Sequence, residues 1–150
     1  MPSASGRCDG PRFLRDWLPA GVALAATFVA SSIPGDRLPP LAMWNADKLL
    51  HAVEYAVIGA LLLWPLVRTS WGSRRPVVAL LAATALASAW GGLDEIHQLF
   101  TPNRSCDWRD WVADTGGALL GALVWLAVGR ARARRRLLGA APLDVRGDAR

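Results

Sequence analysis

Residues 76 to 104 read PVVALLAATALASAWGGLDEIHQLFTPNR. The first eighteen, residues 76–93, carry no charge, and they are followed at once by the adjacent carboxylates of Asp94 and Glu95. An uncharged run of this length is long enough for a helix to cross a hydrocarbon layer about 30 Å thick. The pattern therefore predicts a membrane-spanning helix whose C-terminal end carries a polar cluster.

Three further segments have the same apolar character: 17–33, 49–67 and 111–129. Helices of soluble proteins are rarely apolar on every side over such a length, and no alternation of period two favours strands. Hydrophobic residues make up 53% of the 150 residues, which is high for a soluble protein. We therefore predict an all-α fold, an integral membrane four-helix bundle.

The first segment also has features of a signal peptide. Arg7, Arg12 and Arg15 precede it, and the small residues VASS lie near its end. Its apolar run is long for the hydrophobic region of a signal peptide, which favours its retention as the first helix. The chain then divides into an N-terminal arm, a four-helix transmembrane domain and a basic tail. Their ranges are 1–16, 17–129 and 130–150.

Basic residues gather in the N-terminal arm, in the connection between the second and third helices, and in the tail. These three regions share one side of the membrane if all four helices span, and the positive-inside rule makes that side cytoplasmic. Both termini are then cytoplasmic. The net charge of +5 reflects topology and affinity for anionic lipid headgroups, so we expect no nucleic-acid binding. Cys8 and Cys106 fall on opposite sides, and we expect no disulfide between them.

The outer side of this topology collects polar side chains from the second, third and fourth helices. Within each helix their spacing of three or four residues places them on shared faces. We therefore expect three helices to bring their polar ends toward one extracytoplasmic pocket. The candidate residues of this pocket are Asp47, Lys48, His51, Glu54, Tyr55, Asp94, Glu95, His97, Gln98, Arg104, Asp110 and Asp114.

Some of these residues also have a structural interpretation. Asn45 is a suitable N-cap, and Asp47 in the first turn complements the helix dipole. Asp107 and Asp110 fit the same description at the start of the fourth helix. The pair Gly117 and Gly121 is a small-xxx-small pattern, for which we expect a role in helix packing.

The adjacent carboxylates of Asp94 and Glu95 have the wrong sign for a helix C-terminus. We expect counter-charges from Arg104, Lys48 or a protonated His51, with the turn after the third helix folding Arg104 back over the two carboxylates.

Glu54 and Asp114 lie about a turn or more inside their helices, where an ionised group is costly and usually functional. We expect the neighbouring Tyr55 to donate a hydrogen bond to Glu54.

Around these positions the chain resembles the VanZ-like family of small bacterial membrane proteins. The second helix matches the family pattern at Lys48, His51, Tyr55 and Gly59. The more specific block, D-E-x-x-Q-x-F-x-P-x-R with a later D and G-x-x-x-G, is matched at Asp94, Glu95, Gln98, Phe100, Pro102, Arg104, Asp110, Gly117 and Gly121. The resemblance covers roughly residues 45–122. The chain departs from it at Asn103, where glycine is common, and at Asp114, where asparagine is common.

The resemblance implies a multi-pass protein of the bacterial cytoplasmic membrane, and founding members of the family confer low-level resistance to the glycopeptide teicoplanin. The first functional hypothesis is a protein that recognises or modifies an envelope component. Its partners are the lipid bilayer and a lipid headgroup, a cell-wall precursor or a glycopeptide. In this hypothesis Lys48 and Arg104 hold an anionic group.

The second hypothesis is an intramembrane hydrolase or transferase acting on a lipid-linked substrate. His51 or Glu95 would be the general base, and Arg104 would stabilise developing negative charge. No cofactor is evident and no metal ligand is assigned, but a divalent metal among four of the candidates belongs to this hypothesis. Those four are Asp94, Glu95, His97 and Asp114. A third hypothesis, cation or proton transport, uses Glu54 and Asp114.

Overall fold

In a computed structural model, which describes residues 10–37 and 46–139, every regular element is a helix. Four helices are long and apolar enough to cross a membrane, which confirms the prediction of an all-α four-helix bundle. A 3₁₀ turn at Gly35–Arg37 follows the first helix. The helices are α1 Gly10–Ser31, α2 Ala46–Arg68, the short α3 Ser70–Arg74, α4 Pro76–Gln98 and α5 Trp108–Gly139.

The helices extend further than the apolar segments that predicted them. The backbone of α4 stays helical through Asp94 to Gln98, and α5 continues past residue 129 into the basic tail. Hydropathy marks the part of a helix that suits lipid, whereas the hydrogen-bond ladder continues wherever side chains and caps allow it. Arg7, Cys8, Asn45 and residues 140–150 lie outside the described residues, so the predictions that involve them stay predictions.

The interface between α2 and α5 is built on glycine. A Cβ atom on Gly117 would overlap the carbonyl group of Ala52, and one on Gly121 would overlap that of Ala56. In the opposite direction, a Cβ on Gly59 would overlap the backbone of α5. Small residues let helix backbones approach closely, and in a membrane this packing drives helix association. The structure thus places Gly117 and Gly121 at a backbone-to-backbone contact.

The bundle has a small core and an apolar exterior. Alanines of α4 and α5 pack against larger side chains of α2 such as Ile58 and Leu63, and all of these are buried. Many leucines and valines, including Leu49, Val57 and Leu120, are more than half exposed. A large exposed apolar surface of this kind suits contact with lipid rather than water. The protein is therefore a membrane protein.

Side-chain contacts fix the direction of each helix. Ser31 at the end of α1 bonds to Asp94 near the end of α4, and Lys48 at the start of α2 bonds to Asp110 at the start of α5. We call this end of the bundle the acidic end. At the opposite, basic end, Arg68 pairs with Asp16 at 2.8 Å. The four long helices therefore alternate in direction.

The glycine contact yields a stability prediction. Gly121→Ile should lower the melting temperature of the detergent-solubilised protein strongly, because the side chain cannot fit against Ala56. Overpacking typically lowers the free energy of unfolding by about 1–3 kcal/mol. Because the backbone of Ala56 is rigid, we expect the loss for Gly121→Ile to be at or above the upper limit. Gly116→Ile is the control, since a Cβ on Gly116 meets nothing within 4 Å. Equal melting temperatures for the two variants would contradict this account of the interface.

Candidate functional site

Five polar side chains of α4 and α5 are buried at the acidic end, and four of them are carboxylic acids. They are Asp94, Glu95, Gln98, Asp110 and Asp114. Burial of a charged group is costly unless it is paired and hydrogen-bonded. The partners of these side chains therefore determine what the site can do.

Lys48 connects the start of α2 to the start of α5. Its ammonium lies 2.8 Å from Asp110, 3.0 Å from Asp47 and 3.1 Å from Asp107. A lysine ammonium has three donors, and here each has a carboxylate partner. The backbone N–H of Arg109 and the Lys48 ammonium also lower the pKa of Asp107, so that it stays ionised in mild acid.

His51, one turn further into α2, faces Asp114 of α5. The imidazole Nδ1 lies 2.9 Å from Asp114 Oδ1, and the Asp114 side chain is only 1% exposed. Glu95 of α4 completes the group. One ring nitrogen of His51 and one carboxylate oxygen each of Glu95 and Asp114 all lie within 4.8 Å of one another. We call these three residues the inner cluster. Three helices thus bring one imidazole and two carboxylates together.

Two buried polar atoms, one in the inner cluster and one on Tyr55, lack a hydrogen-bond partner. Glu95 accepts a bond from the backbone N–H of Asp107 at Oε2, 2.8 Å away, but its Oε1 has none. The hydroxyl group of Tyr55 is also unpartnered, and its residue is 0% exposed. The expectation that Tyr55 donates to Glu54 is wrong, because Glu54 accepts instead from Thr27 of α1. Buried polar atoms without partners are rare and call for an explanation.

Gly91 leaves room for the side chains of Asp114 and Tyr55, and the sequence did not predict this role. A Cβ on Gly91 would lie 2.8 Å from Asp114 Oδ2 and 3.3 Å from the ring of Tyr55. Glycine at this position therefore makes room for both groups. The Gly-Gly pair one turn before Asp94 was the signal available in the sequence.

Asp94 and His97 face α1 rather than the inner cluster. Asp94 accepts hydrogen bonds from Ser31 at 2.6 Å and from Gln98 at 3.1 Å. His97 stacks on Phe28 with ring centroids 4.4 Å apart. The metal-ligand set suggested by the sequence is therefore not brought together as a whole. Its members Glu95 and Asp114 meet, but their histidine is His51.

Arg104 does not cover the carboxylates of α4, and that expectation is wrong. Its guanidinium donates to the backbone carbonyl oxygens of Ala30 and Ile33, at 3.3 and 3.4 Å. Cations are favoured at helix C-termini, where carbonyl groups lack partners, so Arg104 caps α1. The turn that carries it includes Asn103 at φ 55°, a left-handed conformation that suits glycine and, next best, asparagine.

Glu54 lies on the exposed side of α2 and bonds to α1, whereas Asp114 is buried and bonds to His51. The two carboxylates share no hydrogen-bond partner, and the transport hypothesis that uses them stays a prediction. A separate apolar groove of about 650 Å³ runs between α2 and α5 from Val53 to Arg132. Its lining is almost entirely apolar, which suits lipid chains rather than a polar ligand.

Negative charge exceeds positive charge at this end of the bundle. Five carboxylic acids lie around two cationic side chains, Lys48 and His51, while Arg104 bonds to α1 and Arg109 is exposed. The five are Asp47, Glu95, Asp107, Asp110 and Asp114. The arrangement therefore favours a cation as the missing partner and does not favour an anion.

The lysine network gives a testable consequence. Lys48→Met should destabilise the protein by about 3 kcal/mol, because removing one partner of a buried charge pair typically costs 3–5 kcal/mol. The lower value applies since the Lys48 side chain is 21% exposed. The matched control is Arg109→Met, which removes an exposed positive charge three residues after Cys106. Unfolding in SDS titrations measures the stability of both variants. Equal stabilities would show that the ion pairs of Lys48 do not stabilise the fold.

A family model described as VanZ/LLP1 matches residues 14–129. The match covers most of the chain and reaches from α1 to the last apolar turns of α5. No curated protein and no solved structure matches the chain.

Proposed function

The chain belongs to the VanZ/LLP1 family, and from this premise we propose a function for the acidic end of its bundle. The protein recognises an amine-bearing component of the bacterial cell envelope, or a glycopeptide antibiotic of the teicoplanin type, at that end. The observation that carries the proposal is the excess of buried carboxylates over cations around Lys48 and His51. A protonated amine supplies both the missing charge and the hydrogen-bond donors.

The orientation of the bundle belongs to the same proposal. Arginines cluster at the basic end, and the positive-inside rule places such an end in the cytoplasm. The acidic end then faces outward from a bacterial cytoplasmic membrane, toward cell-wall precursors and glycopeptides. The arginines are Arg12, Arg15, Arg68, Arg74, Arg75, Arg130, Arg132, Arg134, Arg135 and Arg136.

The contacts of Lys48 and Arg104 support an amine rather than a phosphate as the recognised group. Lys48 already has three carboxylate partners, and Arg104 already caps α1. An anionic headgroup would have to displace these partners and would meet the remaining carboxylates. The sequence-based hypothesis that both residues hold an anion is therefore not the one that we carry forward.

A second candidate function is an intramembrane hydrolase or transferase acting on a lipid-linked substrate. The observation that favours it is the bond between the His51 imidazole and the buried Asp114 carboxylate. An imidazole oriented by a carboxylate is a common form of general base. The His51 side chain is 20% exposed and can therefore reach a substrate, whereas Asp114 is only 1% exposed. Arg104 has no part in this candidate.

Recognition of an amine is tested with two pairs of ligands, each a free amine and its N-acetylated form, which has lost the positive charge. A lipid-linked wall precursor and a lipoglycopeptide are each compared with their N-acetylated forms, for binding to the protein in nanodiscs. Acetylation should weaken binding by about 10- to 100-fold, because a hydrogen bond to a charged group is worth about 1.5–3 kcal/mol. Asp110→Asn should reduce the preference for the free amine, whereas Asp36→Asn, on the exposed 3₁₀ turn, should not.

Equal binding of free and acetylated ligands would overturn the amine proposal. Mass spectrometry of the ligand recovered from the same samples separates the two candidate functions. A chemically altered ligand that disappears with His51→Gln but persists with His97→Gln would establish the enzyme candidate instead.

The orientation predicts which cysteine a membrane-impermeant maleimide labels. Cys106 is exposed in the loop at the acidic end, so Cys8→Ser protein should be labelled in intact cells. In the matched Cys106→Ser protein, Cys8 should be labelled only after lysis. Desolvation and the nearby carboxylates of Glu95 and Asp107 raise the pKa of the Cys106 thiol, so labelling is performed at mildly alkaline pH. Labelling of Cys106 only after lysis would reverse the orientation.

A further inference from the structure

We propose that the inner cluster of His51, Glu95 and Asp114 binds one divalent transition-metal ion, zinc or manganese. The proposal goes beyond recognition of an amine, and it stands whether or not that recognition occurs. It rests on the geometry of three side chains and on two buried polar atoms without partners, one on Glu95 and one on Tyr55.

The geometry comes from three helices that meet at one depth. Nδ1 of His51 and Oδ1 of Asp114 are 2.9 Å apart, and a ligand oxygen of Glu95 lies within 4.8 Å of both. Metal-to-ligand distances of about 2.0–2.2 Å place the ligand atoms of a tetrahedral site roughly 3.3–3.6 Å apart. The separation of 2.9 Å between His51 and Asp114 is slightly shorter, and the upper bound of 4.8 Å on the others includes this range, so small side-chain rotations suffice to reach it.

The unpartnered atoms are a second and independent reason. Glu95 is 97% buried, since its exposed fraction is 3%, and Oε1 has no hydrogen-bond partner. The hydroxyl group of Tyr55, whose ring lies against Gly91 as the Asp114 carboxylate does, also lacks one. An ion bound by the cluster takes Oε1 as a ligand, and the hydroxyl can bond to a water molecule in the open coordination position. Both unsatisfied atoms are then accounted for.

Charge and orientation favour the same conclusion. Metal binding requires that the imidazole of His51 give up its proton, and the two buried carboxylates then carry a charge that a divalent ion cancels. The backbone N–H of Asp107 holds the other oxygen of Glu95 at 2.8 Å, and hydrogen bonds of this kind orient the ligands of metal sites. The imidazole among the ligands favours zinc over calcium, which prefers oxygen ligands alone, and the two carboxylates also suit manganese.

The chain supplies matched controls for the test. It contains only two histidines, and His97 lies on α4 stacked on Phe28, outside the cluster. Asp94 is buried next to Glu95, but it bonds to Ser31 and Gln98. His97→Gln and Asp94→Asn therefore repeat the chemical changes of His51→Gln and Glu95→Gln without removing a proposed ligand.

The experiment is equilibrium dialysis of the detergent-solubilised full chain, stripped with chelator and then titrated with Zn²⁺ or Mn²⁺, followed by elemental analysis. The wild type should bind one ion per chain. His51→Gln and Glu95→Gln should weaken binding by more than about 100-fold, because loss of an outer-shell partner alone typically costs 10- to 100-fold. His97→Gln and Asp94→Asn should bind as the wild type does. Asp114→Asn repeats the ligand test on a third helix, and melting curves confirm that every variant is folded.

Two results would overturn the proposal: a folded wild type that retains neither metal at stoichiometry, or equal losses in the ligand and control variants. The assay contains no envelope ligand, so its outcome is separate from that of the amine test. If the protein binds metal but shows no preference for free amines, only the proposed function is contradicted. If it prefers free amines but binds no metal, only the metal site is contradicted.

Discussion

The close approach of α2 and α5 is the constraint on which the rest of the structure depends. Gly59, Gly117 and Gly121 remove the side chains that would hold the two backbones apart. At that separation Lys48 reaches Asp110 and His51 reaches Asp114, each at 2.8–2.9 Å. A wider spacing would leave charged groups buried without partners, at a cost of several kcal/mol each. The packing of small residues and the polar chemistry of the site are thus two results of one contact.

The sequence predicted the four long helices because lipid requires apolar side chains on every side of a spanning segment. It also predicted that polar groups gather at one level, since helical spacing and alternating direction fix depth and face. The partner of each group was harder to predict, because the rotation of each helix about its own axis depends on packing. Arg104 shows the difficulty: the sequence places it after α4, next to two carboxylates, but the end of α1 offers it unpaired carbonyl groups.

The contributions of α1 and of Gly91 had little or no signal in the sequence. Ser31 and Thr27 look like ordinary small residues of an apolar helix, yet they bond to Asp94 and Glu54. Gly91 looks like a packing residue, and only the positions of Tyr55 and Asp114 show what it makes room for. In each case the informative fact is a contact between helices, which a single sequence does not contain. Residue types and depth were therefore predictable, whereas the division of the polar groups between α1 and the inner cluster was not.

The bonds that build the acidic end join residues far apart along the chain. Ser31 and Asp94 are separated by 63 positions, Lys48 and Asp110 by 62, and His51 and Asp114 by 63. Because a chain is synthesised from its N-terminus, α2 emerges from the ribosome well before its partners on α5 exist. Until α5 arrives, Lys48 can therefore pair only with Asp47 of its own helix, and His51 lacks its partner Asp114. Truncated nascent chains that end before α5 should accordingly be the species that quality-control proteases degrade first.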